Sequence, residues 1–397
     1  MRKYLFVLPF LCLPSIATAD WGKQLVNSVE SSDYYQLLKQ KLITANFEKE
    51  AYSQSFYNPE IQADYKNSEV NEFSIGISQT IDFSSKRQFS KNYGQMRLLS
   101  AQANAKEIER QLLFQAINAL VELRKQQQLE QLNLQQKQLL SQLSKDIREK
   151  ERIGELGKLD SQVSEIAMAN FLSQTSKQLL DLNSAKEQTN IWFSNSESLP
   201  KSLPKALTTK IRAPFIEKLI EQTPQILLAQ SQVNLLKADW KRTEALNKSD
   251  PTVGVNVGKE GDANTVGVTF SMPLNISNNY SSANSAKHSE FLEQDYQLAI
   301  ARKLMKLEFK KEFSAYTQLF DSYQDWKTIA SESIRGNEKL LVNLWQEGEI
   351  TTSEFIVANQ QRLNALKSGI ELQNNLYKQY ILWLSTSNQL RSWLMNQ

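Results

Sequence analysis

The sequence predicts a mainly α-helical fold with β-hairpins, built from one unit used twice: helix, β-hairpin, very long helix, turn, returning helix. Three observations carry this expectation. Two stretches, 73–83 and 265–272, alternate apolar and polar residues with period two, and each lies beside a partner stretch. Each is followed by a long run of strong helix formers, about 88–152 and about 281–346. Both runs end in matching turns, Gly154-Glu155-Leu156 and Gly348-Glu349-Ile350, with Asp160 falling where Glu354 does. A doubling in this order is a stronger signal than any single motif.

The chain opens with Arg2 and Lys3, a short apolar run and Ala17-Thr18-Ala19, the pattern of a secretory signal peptide over residues 1–19. Cleavage is expected after Ala19. The only cysteine, Cys12, lies inside this leader with Pro9-Phe10-Leu11 before it, so no lipid anchor, disulfide or thiolate site is expected in the mature chain. Without Arg2 and Lys3 the chain carries 44 basic and 43 acidic residues, which gives no electrostatic case for nucleic acid. A mean hydropathy of −0.47 excludes a bundle of membrane helices.

The first repeat is expected over residues 20–194. A helix at about 31–56, with Ser31, Ser32 or Asp33 as N-cap, ends at Asn58-Pro59. Ile61, Ala63 and Tyr65 alternate with polar residues, and Phe73, Ile75, Ile77, Ile81 and Phe83 return, giving a β-hairpin at 59–83. Gln79 is the one break in that apolar row. The long helix then runs to a turn near 154–160. A returning helix at about 160–193 carries Met168, Leu172, Thr175, Leu179 and Leu182 at coiled-coil spacing. In the Gln-rich run before the turn, Leu129, Leu132, Leu139 and Leu143 keep a heptad.

Residues 195–214, with Pro200 and Pro204 among Ser, Lys and Thr, read as a linker. The second repeat is expected over 215–397. A helix opens at Thr223-Pro224, and a β-hairpin spans 251–273, with Val253, Val255, Val257, Val266, Val268 and Phe270 on one face. The second long helix has Met305, Phe309, Phe313, Tyr316, Phe320 and Tyr323 on one side. Its turn lies near 348–354, and the last helix has Leu363, Leu366, Ile370, Gln373, Tyr377, Tyr380 and Leu384 at a/d spacing.

Roughly ten residues is the length of a tilted strand that crosses a bilayer. Two hairpins give four transmembrane β-strands per chain. Four strands cannot close a barrel, and an open edge in lipid leaves backbone groups unpaired, so the strands require several copies of the chain in a symmetric oligomer.

At this point the residues resemble a family. IGISQTIDFSSKRQFS from Ile75, TPQILLAQSQVNLLKAD from Thr223, GVTFSMPLNI from Gly267, and the turns GELGKLD from Gly154 and GEITTSE from Gly348 look like those of TolC-type outer-membrane efflux proteins. The resemblance extends in particular to the outer components of heavy-metal resistance systems. It covers nearly the whole mature chain. It implies a TolC-like duplicated unit of long coiled-coil helical hairpins assembled as a trimeric α/β barrel, a homotrimer with twelve strands in outer-membrane lipid and helices extending into the periplasm. It also implies a passive exit duct that works with a periplasmic adaptor protein and an inner-membrane transporter, exporting metal ions, drugs or other small molecules. The exit channel of a type I protein secretion system and a soluble periplasmic coiled-coil scaffold are the alternative readings.

No catalysis is expected: the sequence has no P-loop and no nucleophile elbow, and its one histidine, His288, reads as a solvated surface residue rather than a metal ligand. No cofactor is expected. The functional candidates are the turns. By resemblance, Arg152, Gly154, Glu155, Leu156, Asp160, Gly348, Glu349, Ile350 and Glu354 form an adaptor-contact tip. The glycines also suit helix C-caps, and Asp160 and Thr352 suit N-caps. Asp160, Glu347, Glu349 and Glu354, repeated by symmetry, are candidates for an acidic collar that favours cations. Trp383 and Trp393 have no role legible in the sequence.

Overall fold

The computed structural model describes residues 21–67, 69–193, 216–333 and 337–396. The leader at 1–19, the linker at 195–214 and residues 334–336, in the last quarter of the predicted 281–346 helix, lie outside the described residues.

In chain order the elements are α1 (Trp21–Ser31), α2 (Asp33–Ser53), β1 (Glu60–Lys66), β2 (Glu72–Thr80), α3 (Lys86–Arg152), α4 (Lys158–Asn190) and α5 (Ile216–Ile220). Then follow α6 (Pro224–Leu246), β3 (Thr252–Glu260), β4 (Ala263–Ser271), α7 (Ser281–Ser333), α8 (Asn337–Gln346), α9 (Thr352–Thr386) and α10 (Leu390–Met395). The 67 residues of α3 make a rod of about 100 Å at about 1.5 Å per residue.

The four strands form one antiparallel sheet in the order β1-β2-β3-β4, so the two hairpins meet through β2 and β3. Register places the apolar residues in shared rows. Ile61, Ile77, Val255 and Val268 are partners, as are Ala63, Ile75, Val257 and Val266. The other face holds Ser78, Gly254 and Thr269, then Gln62, Gly76, Asn256 and Gly267. At Gly267 a Cβ would collide with the Asn256 amide, so glycine there lets that amide lie flat across the polar face.

Below the sheet, α2, α3, α6 and α7 pack side by side in that order, repeating the strand order. Farther along, α3 packs on α4 and α9, and α7 and α8 pack on α9. The main core lies where α1, α3, α7, α9 and α10 converge, around Leu25, Ile117, Phe309, Tyr316 and Trp383. The predicted aromatic row on the second long helix is therefore core packing. Trp383 meets Phe309 edge-on at 5.6 Å, and Trp393 meets Trp21 at 5.6 Å and Tyr380 at 5.8 Å. A second core near the far end joins Leu140, Leu143, Ile147 and Phe171 to Trp345, Phe355 and Leu363. Between the two cores, α3 buries Gln126, Asn133 and Gln136 on the same seam as Leu129 and Leu140.

Several expectations are corrected. The helix expected over about 31–56 is α2, N-capped by Ser32, but it is preceded by a helix that was not expected, over residues 21–31, which buries Trp21, Leu25, Val26 and Val29. On α4 the expected row is met at its ends, where Met168 packs against the far-end core and Leu182 is buried, but Leu172 and Leu179 are exposed, and the other buried positions are Ser164, Phe171, Ala185 and Thr189. His288 is not a freely solvated residue: it is half-buried, with its ring 4.3 Å from that of Trp240.

Candidate functional site

Two surfaces carry functional interest, the outer face of the sheet and the pair of helix-end turns. On the sheet, the alternation that forms the strands also leaves the apolar side uncovered. Ile61, Phe73, Ile75, Ile77, Val253, Val255, Val257, Val268 and Phe270 are all exposed, and Val266 is 82% exposed. A face of this size and polarity contrast marks an interaction surface. No helix among the described residues is long and apolar enough to cross a membrane.

The sheet is tied to the helices by a buried cluster that the sequence did not signal. The Lys86 ammonium lies 3.1 Å from the Asp250 carboxylate, with side chains 8% and 1% exposed. Lys86 donates to the Tyr57 hydroxyl at 2.9 Å, Tyr57 donates to Asp250 at 3.0 Å, and the Ser84 N–H donates to Asp250 at 3.0 Å. Asp82 accepts from the N–H groups of Lys86 and Arg87, at 2.7 and 2.9 Å, and so caps the start of α3. Three chain crossings from helix to strand or back, at residues 57, 84–86 and 250, thus meet at one ion pair. Its members lie far apart in sequence, which is why no local pattern reveals it.

The two turns have the same construction. Gly154 has φ +85° and Gly348 φ +78°, the left-handed region where glycine is favoured. In the first turn Gly154 N–H bonds to the Glu151 carbonyl at 3.1 Å and Glu155 N–H to the Lys150 carbonyl at 2.9 Å. In the second, Gly348 N–H bonds to the Trp345 carbonyl at 3.2 Å and Glu349 N–H to the Leu344 carbonyl at 2.9 Å. Both are Schellman endings, which satisfy helix carbonyls otherwise left open.

The starts of the returning helices differ from expectation. Asp160 is not an N-cap: that position is Gly157, and Asp160 sits half-buried in the first turn of α4, where its negative charge suits the helix N-terminus. Thr352 is not an N-cap either. Thr351 caps α9 in a reciprocal box with Glu354, whose carboxylate accepts from the Thr351 N–H and hydroxyl, each at 2.8 Å. These hydrogen bonds hold the Glu354 carboxyl below the usual glutamate range. Thr352 is buried instead and accepts from the Trp345 indole N–H at 3.3 Å.

The far-end core brings the two turns together. Leu156 and Ile350 are half-buried and pack against it, and Lys150 lies over the Trp345 ring at 5.1 Å. Arg152, Gly154, Glu155, Glu347, Gly348, Glu349 and Glu354 are exposed. Two apolar residues missed in the sequence stand out beside them: Ile153 is 59% and Leu159 70% exposed. Their signal was available, since the corresponding residues of the second turn are Glu347 and Ser353. No set of three or more His, Cys, Asp or Glu side chains among the described residues is placed to hold a metal.

A chain with one apolar sheet face, glycine-capped helical hairpins whose first long arm is about 100 Å, and this strand order has the TolC-like fold of outer-membrane channels. No family model matches the sequence, and no curated protein matches it. Solved structures do match. The outer-membrane channel OprN superposes with a TM-score of 0.78 at 13% identity, over 93% of this chain and 90% of that one. The Campylobacter jejuni CmeC outer membrane channel gives 0.77 at 10% identity, over 94% and 86%. The open state of the Neisseria gonorrhoeae MtrE outer membrane channel gives 0.71 at 14% identity, over 95% and 94%. At these identities the likeness concerns the fold.

Proposed function

We propose that the chain is one subunit of a homotrimeric outer-membrane channel, the passive exit duct of a tripartite efflux system and not an enzyme. The observation that carries this reading is the open four-stranded sheet, with its continuous exposed apolar face and outer edges on β1 and β4 that no described strand pairs. In water such edges invite aggregation; in lipid each unpaired backbone group costs several kcal/mol. Closure with further copies removes both problems, and three copies make twelve strands. The helices then form a tunnel wall in the periplasm, with the paired turns at its far end. There the chain meets a periplasmic adaptor, which couples it to an inner-membrane transporter that selects small-molecule cargo.

Membrane fractionation tests the reading. The protein is expected in the outer membrane, released by detergent but not by high salt, and migrating as a three-chain complex. Release by salt alone would refute it. For the tip, the charge reversals Glu155→Lys and Glu349→Lys together are expected to abolish adaptor crosslinking and export; unchanged crosslinking would remove these residues from the contact. The acidic collar of Asp160, Glu347, Glu349 and Glu354 predicts cation preference in single-channel conductance at low salt. Glu354 contributes least to it, because its carboxylate is held by Thr351.

A further inference from the structure

The strands are too short for the membrane they are read as crossing. From Phe73 to Gln79 the outward row of β2 advances six residues, about 15 Å of bilayer at about 3.3 Å per residue and a tilt of about 40°. The apolar band of a membrane barrel is about 25 Å tall. Something outside the ladder must supply the remaining height.

The outward alternation does not stop where the ladder stops. After β2, Ile81 and Phe83 are exposed; after β4, Met272, Leu274 and Ile276 are exposed, Ile276 at 83%. Asp82 is half-buried between Ile81 and Phe83, whereas residues 272–279 are all exposed and the row past β4 rests on sequence spacing. Asp82 is committed to the start of α3, and the Asn275 amide donates to the Asn247 carbonyl at the end of α6 at 2.8 Å. The β2–β3 pairing itself continues one bond further, from the Ile81 N–H to the Pro251 carbonyl at 2.9 Å. At full strand rise the ten residues from Phe73 to Phe83, or from Val266 to Ile276, span about 25 Å, an upper bound at β2 because the Phe83 N–H turns back to the Ile81 carbonyl at 2.9 Å. The apolar row then ends in polar chain: Asn278 and Asn279 side chains accept from the N–H groups of Tyr280 and Ser281. Aromatic residues lie at both ends of the row, Tyr65 and Phe73 at one, Phe83 and Tyr280 at the other, as at the two interfaces of a membrane barrel.

We propose that lipid acyl chains cover the chain past the ends of β2 and β4, to Phe83 and Ile276, so that the inner boundary of the bilayer falls at residues 277–280. Resting on the outer-membrane reading above, this adds a lipid-contact surface made of irregular chain. Backbone groups at lipid depth must be bonded, so the outer edge of residues 272–276 is covered by the neighbouring copy in the closed barrel. The Lys86–Asp250 pair then lies behind this lowest part of the band, at the level where sheet passes into helix.

Residues 13–397 contain no cysteine, so single-cysteine spin labels report cleanly. The variants are Val268→Cys, Leu274→Cys, Ile276→Cys and Asn278→Cys, each labelled in the full mature protein in phospholipid vesicles. Collision with oxygen and with a water-soluble nickel chelate is then compared by electron paramagnetic resonance. Labels at positions 274 and 276 are expected to match position 268 in their oxygen-to-nickel ratio, several-fold above position 278. If position 268 reports lipid while 274 and 276 report water, the band ends with the ladder and the inference is overturned. If position 268 itself reports water, the outer-membrane reading fails and takes the inference with it.

Discussion

Removing one charge of the Lys86–Asp250 pair should loosen the joint between sheet and helices more than any surface substitution. The variants are Lys86→Met, which leaves the Asp250 carboxylate with only neutral donors, and Asp250→Asn, which leaves the Lys86 ammonium with only neutral acceptors. Both side chains are nearly closed to water, so neither charge can be resolvated without opening the joint. Breaking one side of such a pair costs about 3–5 kcal/mol. With unfolding entropy of about 2.1 cal/mol/K per residue, the mature chain has about 0.8 kcal/mol/K, and the loss becomes a fall of about 4–6 °C in Tm. The same shift holds for an assembled oligomer, because loss and entropy both scale with the number of copies.

The double variant Lys86→Met/Asp250→Asn carries the sharper expectation. It leaves no buried charge, and the neutral amide that replaces the Asp250 carboxylate still faces the Ser84 N–H and the Tyr57 hydroxyl. Thermal unfolding of the detergent-solubilised protein, followed by circular dichroism, should therefore show the double variant losing clearly less than the sum of the singles. Additive effects within about 0.5 kcal/mol would mean that the two charges do not depend on each other. That result, or singles that unfold with the parent, would refute the reasoning.

Three further outcomes follow from the packing. Burial alone would raise the Glu122 carboxyl, but hydrogen bonds from Lys125, Lys378 and Gln126 and the Lys378 charge outweigh it and hold its pKa at about 2 against an ordinary 4.5. A folded pKa below the unfolded one gives stability that is complete above about pH 4.5 and lost as pH falls toward about 2, at most about 3 kcal/mol. The Tm gap between parent and Glu122→Gln should close over that window; a constant gap would assign the effect to packing. At Gly369 an added Cβ would overlap the Trp326 indole, so Gly369→Ala should cost about 1–3 kcal/mol in denaturant unfolding, relieved by Trp326→Leu. Thr351→Ala removes the capping box of α9 and should cost about 1 kcal/mol, read as faster amide exchange in that helix's first turn.

The parts of the fold legible in the sequence are those that a few neighbouring residues determine. The alternation of Phe73, Ile75 and Ile77 marks β2, and the proline-free run after Arg87 marks α3. Gly154 and Gly348 mark the turns because only glycine readily takes φ near +80°. What is not legible depends on distant chain. The stripe of Trp21, Leu25, Val26 and Val29 has helical spacing, but its meaning comes from α10 and α3, and it starts right next to the expected cleavage point, where the leader's own pattern dominates. The Leu172 and Leu179 spacing is a heptad, yet spacing alone does not say which of two adjacent lines along α4 meets α3. Two consecutive threonines, Thr351 and Thr352, make the cap ambiguous by one residue until the box with Glu354 is seen.

The same distinction bears on the tip. Leu156 and Ile350 recur at one place in both turns, and recurrence suggests a partner. Each also has an internal explanation: it lies two residues past the glycine, its N–H turns back to the same helix carbonyl as that of the glutamate before it, and its side chain packs on the core shared by the two hairpins. Duplication preserves such packing in each copy of the unit. The exposed Glu155 and Glu349 have no such internal explanation and keep their place in the proposed contact, but apolar contacts with a partner should be sought where the turns differ. Ile153 and Leu159 are exposed and apolar in the first turn; Glu347 and Ser353 hold those places in the second. For the proposed adaptor contact, then, Leu156→Ala and Ile350→Ala should act mainly through stability. Ile153→Ser and Leu159→Ser should weaken adaptor crosslinking while leaving Tm unchanged. If the Leu156 and Ile350 variants lost crosslinking at unchanged Tm, the contact would lie on the recurrent residues after all.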